Sequence, residues 1–70
     1  MPKIAHLVDN VTGERFNIGD TAKTSDGETV VITGFLPYDG MTGKVICIDS
    51  DEWENYWYPS VIGAHFEYSD

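Results

Sequence analysis

The 70-residue chain sets twelve Asp and Glu against four Lys and Arg, a formal net charge of -8, with 41% hydrophobic residues. That length makes one domain, residues 1–70, whose core is too thin to enclose a deep catalytic cavity. Nine aromatics distributed along the chain exclude the sparse hydrophobicity of a disordered segment.

Turn residues recur at intervals of roughly eight to twelve, the rhythm of a small all-β domain. The first predicted strand runs from Lys3 to Val8 and is closed by Asp9-Asn10-Val11-Thr12-Gly13. Glu14-Arg15-Phe16-Asn17 leads through Ile18-Gly19-Asp20 into a second strand near Thr21 to Thr24. Ser25-Asp26-Gly27 reads as a hairpin with a type I′ turn, because Asp-Gly tolerates positive φ. Thr29 to Thr33 is the most β-prone run, extended through Gly34-Phe35-Leu36, with Gly34 marking a bulge or a bend. A loop, Pro37-Tyr38-Asp39-Gly40-Met41-Thr42-Gly43, precedes the strand Lys44 to Asp49. Glu54 to Tyr58 and Ala64 to Tyr68 complete the strands. Between them Pro59-Ser60-Val61-Ile62-Gly63 is too short for an α-helix and suits a 3₁₀ turn, with Pro opening it and Gly closing it. No segment of ten or more residues repeats apolar positions at i, i+3, i+4 and i+7, so helix is not expected.

Two stretches carry a resemblance. Phe16-Asn17-Ile18-Gly19-Asp20-Thr21-Ala22-Lys23 is similar to the Gly-Asp entry of KOW and related SH3-like barrels. Tyr58-Pro59-Ser60-Val61-Ile62 is similar to the Pro-Ser-containing 3₁₀ segment that closes SH3 domains. Over residues 14–68 the chain also resembles small uncharacterised proteins of tailed bacteriophages. The resemblance implies a small SH3-like barrel of five to six short antiparallel strands, with one 3₁₀ turn before the last. It implies a phage or mobile-element origin and leaves the activity open, since fold alone does not define function.

Several chemistries fail on the residues available. The lone Cys47 has no partner for a disulfide or a cysteine zinc site, and reads as a small buried apolar residue. His6 and His65, on the first and last strands, would be neighbours if those strands pair, but no third or fourth ligand accompanies them. Asp49, Asp51 and Trp53 would fall at the first, third and fifth positions of a calcium loop, yet Trp53 cannot ligate and no glycine makes the turn. Ser25, Ser50, Ser60 and Ser69 lack spaced His and Asp partners, and there is no glycine-rich phosphate loop. The sequence therefore predicts no catalytic residues, no metal and no cofactor. Lys3, Arg15, Lys23 and Lys44 are scattered, which argues against direct binding to nucleic acid or to an anionic membrane. No run of 18 apolar residues and no signal-peptide pattern occurs, so the expected location is the cytoplasm, of a host cell if phage-encoded.

The densest feature is Asp49-Ser50-Asp51-Glu52-Trp53-Glu54-Asn55-Tyr56-Trp57-Tyr58, with four carboxylates and four large aromatics. On a strand, alternation puts Trp53, Asn55 and Trp57 on one face and Glu54, Tyr56 and Tyr58 on the other. One face must enter the core, leaving rings uncovered, and Trp and Tyr are the residue types that dominate binding hot spots. The expected contact surface is Tyr38, Asp49, Asp51, Glu52, Trp53, Glu54, Tyr56 and Tyr58, with a host or viral protein bearing a basic patch as partner. Recognition of PxxP peptides is not expected, because Ile4-Ala5-His6-Leu7-Val8 stands where SH3 domains carry a double tyrosine. Three alternatives are an acidic partial DNA mimic, a KOW-like nucleic-acid-associated module, and a virion or oligomeric structural protein. A mimic would need on the order of 15 charges along a globule expected to span roughly 25 to 30 Å.

Overall fold

A computed structural model describes residues 4–38 and 42–69. The predicted start at Lys3 and the loop residues Asp39, Gly40 and Met41 lie outside the described residues. The strands are β1 (Ile4–Asp9), β2 (Arg15–Phe16), β3 (Thr21–Lys23), β4 (Thr29–Leu36), β5 (Lys44–Ile48), β6 (Glu54–Trp57) and β7 (Ala64–Ser69), with a 3₁₀ turn, Pro59–Ile62, before β7. All six predicted strands are present; the short β2, opposite Leu7 and Val8, is an addition too brief for alternation to reveal. Two antiparallel sheets form, one ordered β2-β1-β7 and the other β3-β4-β5-β6. No helix among the described residues is long and apolar enough to cross a membrane.

Alternation decides which side chains meet between the sheets. Along β4 the pattern buries Val30 and Ile32 and exposes Thr29, Val31 and Thr33. They join Leu7, Ala22, Val45, Cys47, Ile62 and Ala64 in one core, edged by Phe16, Phe35, Trp57 and Phe66. Cys47 is fully buried in that core, as its apolar neighbours suggested, and burial pushes its thiol pKa up. The bulge falls where Gly34 placed it: Ile32 pairs with Cys47 and Gly34 with Ile46, leaving Thr33 as the extra residue. A Cβ at Gly34 would stand 2.9 Å from Cδ1 of Ile46, so the missing side chain lets the Ile46 side chain lie across the strand.

The Ser25-Asp26-Gly27 hairpin forms, but not with the type I′ turn predicted from its sequence. Thr24 accepts from the Gly27 amide (2.9 Å) and donates to Glu28 (2.8 Å), and only Gly27 has positive φ. This is a three-residue loop, a type I turn followed by a left-handed bulge residue. The β5–β6 hairpin repeats it: Asp49 accepts from the Glu52 amide (3.0 Å) and donates to Trp53 (3.1 Å). Glu52 there holds a φ of 66°, the position Gly27 fills in the other hairpin. A non-glycine residue in that region costs roughly 1 to 2 kcal/mol. Glu52→Gly should accordingly raise stability by about 1 kcal/mol, whereas Gly27→Val, in open space but at a φ of 86°, should lower it by at least as much. Urea denaturation of both checks the opposite signs, with Glu52→Gln as the control for removing charge alone.

Candidate functional site

The hairpin tip is organised by Asp49. One carboxylate oxygen accepts from the amides of Asp51 (2.9 Å) and Trp53 (3.0 Å), and the other from the Asn55 side chain (3.1 Å). The Trp53 amide, then the Asn55 side chain, hold its carboxyl below the ordinary aspartate pKa. An ionised Asp49 thus ties down the loop that presents Asp51, Glu52 and Trp53, all exposed. Its first structural task is local, which leaves the exposed Asp51 and Glu52 as the tip acids turned to solvent or a partner.

Along β6 the predicted alternation is realised. Asn55 and Trp57 are half-buried, with Trp57 against the core, while Glu54, Tyr56 and Tyr58 are exposed. Trp53 shares the inward parity but stands beyond the strand end on the bulged turn, and is 70% exposed. Tyr56 donates its hydroxyl to Glu54 (2.7 Å), and this bond with the Glu54 charge raises its phenol pKa. The Tyr58 ring lies 6.0 Å from the Lys44 ammonium, within cation–π range.

The structure does not bring together all the residues singled out from the sequence. Asp49, Asp51, Glu52, Trp53 and Glu54 gather at the tip of the β5–β6 hairpin. Tyr58 lies at the other end of β6, about 16 Å away at the rise of an extended strand. Tyr38 does not join the acids: its ring packs on Tyr68, with centroids 5.6 Å apart. Tyr68 in turn donates to the Pro37 carbonyl (2.8 Å). Tyr68 was missed from sequence because pairing of distant aromatics depends on how the sheets stack; its place after Ala64 and Phe66 on alternate positions of β7 is the one signal that was present.

The histidines stand as diagonal, not directly opposite, cross-strand neighbours. β1 and β7 do pair, yet the register sets His6 opposite Glu67 and His65 opposite Val8. The His65 ring contacts Asn10 through Nδ1 and Glu67 through Nε2 (2.9 Å). No cluster of three or more His, Cys, Asp or Glu capable of holding a metal occurs among the described residues.

These observations define a small all-β domain of two antiparallel sheets that carries an acidic, aromatic hairpin. Comparison with protein-family models, curated proteins and solved structures finds no match.

Proposed function

We propose that the chain is a non-enzymatic protein-interaction module of phage or mobile-element origin that binds a host or viral protein through the β5–β6 hairpin. The supporting observation is that Trp53, Tyr56 and Tyr58 are 70%, 53% and 56% exposed on one hairpin whose tip carries no basic residue. Rings left in water gain most when a partner covers them, and the acids raise the encounter rate with a basic surface. The motif resemblance to SH3-like barrels is compatible with such a role. Duplex DNA as long as the 38 Å principal axis carries about 22 phosphates, well beyond the twelve acids present, which favours protein binding over DNA mimicry.

Affinity capture from bacterial lysate with wild type, Trp53→Ala and Glu54→Lys tests the reading. The expected result is one protein retained by wild type, weakened by raised salt and lost with both variants, all three sharing one circular dichroism spectrum. Equal recovery with the three proteins overturns the hairpin as the contact. Displacement of the captured protein by duplex DNA would instead favour the mimic.

A further inference from the structure

The three-stranded sheet ends on β7, and the hydrogen-bond pattern reveals which of its backbone groups are unpaired. The Asn10 amide donates to the Gly63 carbonyl (2.9 Å), one residue beyond the Asp9–Ala64 pair. Antiparallel pairs alternate between hydrogen-bonded and non-hydrogen-bonded. His65, Glu67 and Ser69 therefore direct their backbone groups at β1, and Ala64, Phe66 and Tyr68 direct theirs away from it. The other side of β1 agrees, since Asp9 donates to Glu14 (2.9 Å) and odd-numbered β1 residues face β2. Among the described residues β1 is the one strand paired with β7, and no turn or loop backbone group bonds Ala64, Phe66 or Tyr68 on the other side.

Residues of this edge also line an open groove of about 790 Å³, which Ala64, His65, Phe66 and Tyr68 share with Tyr58 and Pro59. Three unpaired donor–acceptor pairs at alternate residues, spaced about 6.6 Å apart, match an extended backbone and no other regular conformation. The aromatic walls give alternate side chains of such a backbone a surface to cover. The lining holds no carboxylate and one imidazole, His65, whose Nε2 lies 2.9 Å from the Glu67 carboxylate, while the chain bears -8 overall, so the net field attracts a cationic segment and repels a second copy of the chain.

We propose that the free edge of β7 accepts an extended, lysine- or arginine-bearing segment of a partner protein as a fourth strand of the β2-β1-β7 sheet. Main-chain bonds to Ala64, Phe66 and Tyr68 supply the affinity, and the Tyr58, Phe66 and Tyr68 rings receive alternate side chains. The proposal rests on the protein-interaction reading but centres its contact on the β7 edge, sharing only Tyr58 with the hairpin surface and none of the acidic tip. The two can therefore fail separately.

The probe is an acetylated and amidated octapeptide of alternating Lys and Val, followed by amide hydrogen exchange and chemical shifts on the intact chain. In the free protein the amides of Phe66 and Tyr68 should exchange faster than those of His65 and Glu67. On peptide addition exchange at Ala64, Phe66 and Tyr68 should slow at least tenfold. N-methylation of alternate peptide residues, in the register that removes the bridging N–H groups, should weaken binding at least tenfold without changing charge, and Trp53→Ala should leave binding intact. Unchanged exchange at those three amides with millimolar peptide overturns the proposal. So does equal binding of both N-methylated registers, which would indicate electrostatic adsorption. Protection of the same amides that grows with protein concentration alone would overturn it in favour of self-association.

Discussion

Gly43→Ala should destabilise the domain by about 2 to 5 kcal/mol, combining left-handed backbone strain with overpacking. Gly43 is buried with a φ of 74°, and an added Cβ would meet the Phe66 ring and the Pro37 carbonyl oxygen, each at 2.8 Å. The ring can turn only by disturbing its edge-on contact with Phe35, and the carbonyl belongs to the backbone that Tyr68 also grips. Gly13 supplies the control. Its φ is also 74°, but nothing lies within 4 Å of the Cβ position, so Gly13→Ala reports the backbone cost alone. The difference between the two urea midpoints, at equal slope, isolates the contacts around Gly43. Equal losses would show that the Phe66 and Pro37 contacts give way freely.

Ile32→Ala should cost roughly 2 to 5 kcal/mol, because a fully buried side chain is replaced by a cavity. A domain of this length has a total stability of only about 4 to 10 kcal/mol. One such deletion thus removes a large share, and the melting temperature should fall by roughly 10 °C or more. Ile32 sits immediately before the bulge, opposite Cys47, where the strand cannot slide to close the void without breaking the Gly34–Ile46 register. A loss under about 1 kcal/mol would mean the core collapses around the gap, contrary to the cost normally seen at rigid sites.

Much of the architecture was legible because it depends on short-range chemistry. Thr29 to Leu36 announces a strand by β-branched alternation, Gly34 marks the bulge, and Pro59 with Gly63 brackets the 3₁₀ turn. The turn types were less legible: Asp-Gly is compatible with two hairpin geometries, and loop length, not composition, selects between them. Glu52 gave no sign of its positive φ, since that position usually holds glycine and the strain is visible only in the backbone. The candidate surface was half legible. Alternation along β6 correctly separated Trp57 from Tyr56 and Tyr58, but it could not tell that Trp53 falls beyond the strand. Nor could spacing along the chain reveal that Tyr38 would meet Tyr68, thirty residues away, instead of the acidic tip. Such meetings depend on the stacking of two sheets, a property of the whole chain.

The ladder between β1 and β7, from Ile4–Ser69 to Asp9–Ala64, has a consequence for how the domain is made. During synthesis the earliest strand emerges first and its partner last, so Leu7 waits in water until Phe66 arrives. The first sheet therefore closes only after release of nearly the whole segment, and such distant pairing is slow because the intervening chain must loop back. The same adjacency of first and last strands makes this domain suited to circular permutation, with new ends opened at the exposed Ser25-Asp26-Gly27 turn.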